Sequence, residues 1–107
     1  MIIEVLICTH NRAGLLERTL EHIDQAACPA GAEIQVLVAA NACRDGTHEL
    51  LRTRALTQAE GRYRVRFIEE PTPGKSNALN TAIPQLRGDI IAMVDDDHRV
   101  DTGYFCA

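Results

Sequence analysis

With 107 residues, 46% of them hydrophobic and 24% charged, the chain has the composition of one small soluble globular domain with a single core. A net charge of −4 excludes the basic face that general nucleic-acid binding needs, and a chain with no Trp, two Phe and two Tyr is poorly supplied with stacking platforms. No apolar run approaches the ~20 residues of a membrane span, and Met-Ile-Ile-Glu, without a basic n-region, gives no expectation of a secretory signal. The cysteines Cys8, Cys28, Cys43 and Cys106 lack C-x-x-C spacing, so reduced thiols in a cytoplasmic protein, with no zinc site, are expected.

Residues 2–8, IIEVLIC, are apolar and β-branched and predict a strand. Thr9 and Asn11, in the THNRAG that follows, are by default helix caps. Leu15, Leu16, Leu20, Ile23 and Ala27 then recur at helical spacing, and Pro29 and Gly31 close that helix. EIQVLVAA, 33–40, predicts a second strand; NACRDGT is a turn; a helix over 47–58 presents Leu50, Leu51 and Ala55. RVRFIEE, 64–70, alternates Val65 and Phe67 with charged residues and reads as an edge or half-buried strand. After PTPG, a helix runs from Lys75 to Leu86, with Pro84 kinking or ending its last turn and Gly88 closing it. DIIAMVD, 89–95, is the fourth strand.

The β-α-β-α-β-α-β order predicts an α/β fold: a mostly parallel, Rossmann-like sheet of about four strands with flanking helices and right-handed crossovers. Ligands of such sheets sit beyond the carboxyl ends of the strands. That rule directs attention to Thr9–Arg12, Asn41–Gly46, Glu70–Lys75 and Asp95–His98, all of them polar.

Asp95, Asp96 and Asp97 end an apolar strand on three adjacent carboxylates. Such a cluster suits a hard divalent cation, Mg²⁺ or Mn²⁺, which takes one or two carboxylates and completes its shell with water and phosphate oxygens. Gly74-Lys75-Ser76 resembles the end of a P-loop, but the glycine required five positions earlier is Glu69, which disfavours a P-loop hydrolase. Lys75 at a helix start can still meet a diphosphate. Asn41 and Asp45 are by default turn formers.

Together, ICTHNRAGLLERTLEHI, VLVAANACRDGT, GKSNALNTAI and GDIIAMVDDD resemble, in order and spacing, the family 2 glycosyltransferases of GT-A fold. The resemblance implies a nucleotide-diphosphate-sugar donor and a divalent metal, Mg²⁺ or Mn²⁺. It places Thr9, Asn11 and Arg12 beside the nucleoside, Asn41 and Asp45 in a second nucleotide-facing loop, and Lys75 near the donor. Asp95 and Asp97 match the ends of the family's Asp-x-Asp motif. Asp97 is the better metal ligand, Asp95 lies nearer the ribose or sugar while also a candidate ligand, and Asp96 is their donor-side neighbour. The family commonly has a base-contacting Asp where this chain has Ala40, which leaves the nucleotide base open.

The implied reaction is metal-assisted inverting transfer of a sugar to an acceptor hydroxyl. Family members extend well beyond this length, so residues 1–107 are expected to form a single domain. By the resemblance it is expected to be the donor-binding half, lacking acceptor half and catalytic base, and to be inactive in isolation. The alternative is a non-catalytic module that binds nucleotides or oligomerises, homo-oligomers forming through an uncovered apolar face. A flavodoxin-like phosphotransfer domain ranks last, because CTHNR offers no acidic residue after the first strand.

Overall fold

The computed structural model describes residues 1–56 and 63–96, and of 54–56 the backbone alone. Its elements are β1 (Ile2–Thr9), α1 (Ala13–Gln25), β2 (Glu33–Asn41), α2 (Thr47–Leu56), β3 (Arg64–Glu70), α3 (Lys75–Ala82) and β4 (Ile90–Met93). All three strand pairings are parallel and the sheet order is β3-β2-β1-β4. The expected Rossmann-like sheet is present, and β3 is an edge strand.

Strand parity decides which helix covers which face. Ile3, Val5 and Ile7 of β1, with Val36 and Val38 of β2, pack against Leu16, Leu20 and Ile23 of α1 and Leu51 of α2. Leu6, Leu37 and Ala39 point the other way and meet Ala78 and Ala82 of α3. This division follows from the order of the strands. The β1→β2 and β2→β3 crossovers run in one direction across the sheet and the β3→β4 crossover runs back, so right-handed connections put α3 opposite α1 and α2.

Two boundaries differ from those read in the sequence. The third helix ends at Ala82 rather than Leu86, and Ile83–Gln85 form a 3₁₀ turn. Pro84 has no N–H to donate to the preceding turn and its ring crowds that turn's carbonyl, so the α-helix stops before it. The fourth strand is Ile90–Met93, shorter than 89–95, although Asp89 N–H still bonds the Ile2 carbonyl and Val94 N–H that of Leu6. In α1, Leu15 is exposed and Ala27 lies beyond the helix on the surface, while Thr19 takes a buried place in the stripe. Residues 57–58 of the expected second helix lie outside the described residues.

A carboxylate sits in the middle of β1. Glu4 is fully buried, accepting Arg66 Nη2 (2.8 Å) and the N–H groups of Arg87 (2.5 Å) and Gly88 (3.1 Å). Burial opposes its ionisation, but these donors outweigh it and hold its pKa below the ordinary glutamate value. Gly88 does not close a helix; it lies so near that a Cβ there would be 2.6 Å from Glu4 Cβ.

Candidate functional site

The sheet order locates the site. The chain winds outward from β1 to β3 and then returns to place β4 on the other side of β1. β2 and β4 therefore lie on opposite sides of β1, and such a reversal of strand order is where doubly wound sheets open a crevice. A cleft of about 380 Å³ lies there, lined by Cys8, Thr9, His10, Arg12, Asn41, Lys75, Asp95 and Asp96. That volume is within the range of small-ligand pockets. A larger hollow of about 490 Å³ opens beside the β2 and β3 ends, but its His48 and Glu69 already meet at 2.8 Å. The first cleft alone gathers a lysine, an arginine and carboxylates from separate strand ends.

Asn41, last residue of β2, is buried and ties three loops together. Its Nδ2 donates to the carbonyls of Glu70 (3.2 Å) and Thr72 (2.8 Å), and its Oδ1 accepts Gly74 N–H (2.9 Å). Gly74 has φ +122°, a conformation that suits glycine. The turn thus built starts α3 at Lys75, whose Nζ lies 3.8 Å from Asp95 Oδ1. Both side chains are more than 60% exposed, so water screens the pair and either partner is available to a ligand. The Asn41 carbonyl lies 2.6 Å from His10 Nδ1. A carbonyl only accepts, so Nδ1 carries the hydrogen and Nε2 is left as an acceptor.

Asp95 and Asp96 are sorted by strand parity. Asp96 is buried: Thr9 Oγ1 donates to its Oδ2 (2.9 Å) and Arg12 Nη1 to its Oδ1 (3.3 Å). Asp95 is exposed on the side of α3. Asp97, with His98, Arg99 and Cys106, lies outside the described residues. Among the described residues, no group of three or more His, Cys, Asp or Glu side chains could hold a metal ion by itself.

Asn11 and Asp45 stand behind the cleft rather than in its wall. Asn11, at φ +51°, accepts Arg44 N–H on its Oδ1 (2.6 Å). Asp45 Oδ1 accepts Thr47 N–H (3.0 Å), and its Oδ2 accepts Ala13 N–H at the head of α1 (3.1 Å). Partial burial works against the Asp45 charge, but these hydrogen bonds prevail and lower its pKa. Neither Thr9 nor Asn11 caps α1, contrary to the default expectation. The Thr9 hydroxyl is bonded to Asp96, the Asn11 amide is turned to Arg44, and Asp45 reaches across to do the capping.

Two cleft residues carried no individual sequence signal. Cys8 is the last residue of β1 on the Glu4–Leu6 face, so strand parity would have found it. Burial, with Asp96 and Asp95 adding to it and Lys75 opposing, pushes its thiol above the ordinary value, which keeps it protonated at neutral pH. His10 stands between two residues that were singled out, in the loop leaving the central strand. Arg12, Asn41, Lys75 and Asp95, from four loops, do converge on one cleft.

The sequence matches glycosyl transferase family 2 over residues 4–106. It is 30% identical over 95 residues to Glycosyltransferase AglE of Haloferax volcanii, covering 89% of this chain and 30% of that protein. Among solved structures, the mannosyltransferase PcManGT of Pyrobaculum calidifontis, in complex with GDP-Man and Mn²⁺, superposes with a TM-score of 0.71. It is 32% identical, over 89% of this chain and 27% of that one. S. aureus TarS in complex with UDP-GlcNAc has a TM-score of 0.78 at 20% identity, over 99% of this chain and 29% of that one, a likeness of fold. No helix among the described residues is long and apolar enough to cross a membrane.

Proposed function

Because the chain belongs to glycosyl transferase family 2, we propose that these residues form the donor-binding portion of an inverting glycosyltransferase. Its cleft takes a nucleotide-diphosphate-sugar. The observation that carries this reading is the convergence of Arg12, Lys75 and Asp95 on a cleft at the switch point of the sheet. A diphosphate needs cations, and Lys75 and Arg12 flank the cleft from opposite faces of the sheet. A sugar and ribose need hydrogen-bond acceptors, and Asp95 and His10 Nε2 offer them. Two relatives of known structure hold UDP-GlcNAc and GDP-Man, and one of them also holds Mn²⁺.

The residues present fit a hard divalent cation. Mg²⁺ or Mn²⁺ asks for one or two carboxylates and accepts phosphate oxygens for the rest. Asp95 is exposed at the cleft, and Asp97 is the second candidate ligand. Asp96 is already bonded within the chain. When bound, the ion neutralises charge on a departing diphosphate. Lys75 exchanges its contact with Asp95 for one with the phosphates. Thr9 and Arg12, anchored by Asp96, shape the nucleoside side, with Asn11 and Asp45 holding the loops behind them and Asn41 setting the Lys75 turn. An acceptor hydroxyl would attack the anomeric carbon from the face opposite the diphosphate, aided by a base outside these residues. The chain spans 27–30% of the length of the relatives described, and the isolated 107 residues are proposed to bind donor without transferring it.

Calorimetric titration of UDP, GDP and their sugars, with and without Mn²⁺, tests the proposal. Metal-dependent binding that Lys75→Met weakens about tenfold is expected, the loss of one charge-assisted contact. Absence of binding by every nucleotide would overturn it. A second reading, a module that self-associates, has one observation in its favour: Ile83, Ile90, Ile91 and Met93 are exposed along the β4 side. Sedimentation velocity over a concentration series distinguishes it, because a strictly monomeric chain removes its support.

A further inference from the structure

Thr19 is out of place in an apolar stripe. It lies in the second turn of α1, 2% exposed, between Leu16 and Leu20, and does not line the cleft. A buried hydroxyl is costly unless bonded, and within a helix its usual partner is the carbonyl four residues back. Leu15 O is within reach at 3.0 Å, but Asp96 O is nearer, at 2.8 Å. The hydroxyl has one hydrogen, and the shorter contact crosses from helix to carboxylate triplet.

Asp96 is therefore held at both ends. Its carboxylate is fixed by Thr9 and Arg12 and its carbonyl by Thr19. Parity gives this consequence. Ala92 and Val94 face the α1 side, and Asp96 follows them inward. Asp95 follows Ile91 and Met93 to the other face, toward Lys75. A slip of one residue at this strand end would exchange the two carboxylates.

We propose that Thr19 and Asp96 are positioning residues of the donor site: by clamping the backbone at Asp96 from the α1 side, they keep Asp95 presented to the cleft. Asp96, its carboxylate already taken up by Thr9 and Arg12, then contributes through its neighbours. The inference rests on the donor-site reading above, but it concerns a helix residue remote from any ligand.

The test compares Thr19→Val, which keeps the shape and removes the donor, with Thr19→Ser, which restores a hydroxyl. In the 107-residue chain, Thr19→Val is expected to lower Mn²⁺-dependent UDP or GDP affinity about tenfold, the effect of one hydrogen bond. Thr19→Ser should return to within about twofold of the wild type. Without any ligand, amide exchange at Val94, whose N–H bonds the Leu6 carbonyl, should quicken in Thr19→Val while Ile7 and Val38 keep their protection. Unchanged affinity with unchanged exchange would overturn the proposal, as would exchange that quickens uniformly. Should Thr19→Val fail to fold, Asp96→Asn serves instead. It retains an acceptor for Thr9 and drops the ionic contact with Arg12, and unaltered nucleotide affinity there counts against the clamp. A wild-type chain that binds neither nucleotide overturns the donor reading, and the exchange pattern then decides the clamp alone.

Discussion

Arg66 on β3 reaches over the intervening strand β2 to place Nη2 2.8 Å from Oε2 of Glu4 on β1. The same nitrogen donates to the Gln85 carbonyl at 2.6 Å, so one guanidinium joins an edge strand, a central strand and the turn leading to β4. Removing the Glu4 carboxylate is costly, because the Arg66 guanidinium and the N–H groups of Arg87 and Gly88 all lose their acceptor. Glu4→Ala is expected to destabilise the fold by about 3 kcal/mol, measured by urea denaturation. A loss below about 1 kcal/mol, the worth of an exposed pair, would contradict the assignment.

The same carboxyl makes the fold acid-sensitive. Its folded pKa lies below the ordinary value of 4.5. The stability it adds is therefore complete above that pH and is lost as the pH falls from 4.5 through the folded value. Asp45, also lowered, acts with the same sign from its ordinary 3.8 downward. Glu4→Gln should show a flatter thermal-midpoint profile below pH 4.5 than the wild type. Parallel profiles would place the sensitivity elsewhere.

Gly88 is irreplaceable for a related reason. A Cβ would stand 2.6 Å from Glu4 Cβ and 3.0 Å from its backbone nitrogen, both on a central strand that cannot yield. Gly88→Ala should cost at least about 2 kcal/mol through overpacking. By contrast, Ala42 is held at φ +48°, where a side chain is strained. Ala42→Gly should stabilise by up to about 1 kcal/mol. Circular-dichroism melts of the two variants should move in opposite directions.

Asn41→Asp would set a carboxylate oxygen against the carbonyls of Glu70 and Thr72, in place of the amide that now donates to both. The expected loss is about 2 kcal/mol in stability, with weaker nucleotide binding because the Gly74–Lys75 turn loses its anchor. Retained stability in chemical denaturation would show that the anchor is dispensable.

The fold was readable from the sequence because the strands stand out as apolar, β-branched runs and the helices between them as spaced apolar residues. Leu16, Leu20 and Ile23 needed no tertiary information to be placed in the core. The site was readable only as a set of loops. Lys75 and Asp95 are twenty positions apart in sequence, and only the return of β4 past β1 makes them neighbours. Roles within the loops were less legible, since Asp45 and Asn11 are spent on backbone N–H groups from other segments. A carboxylate that caps a distant helix looks, in sequence, like one that meets a ligand. Thr19 was hidden for the opposite reason: a lone threonine on a helix usually bonds its own backbone and signifies nothing.

Asp45 has a consequence for how such a site changes over generations. Its one carboxylate serves the head of α2 through Thr47 and the head of α1 through Ala13. The loops that follow β1 and β2 are thereby fastened to a common post. A residue inserted into either loop would move the post and disturb the other, so the pair must vary together or hardly at all. Novelty in ligand choice is easier to reach by exchanging side chains on fixed loops, as at His10, than by remodelling the loops themselves.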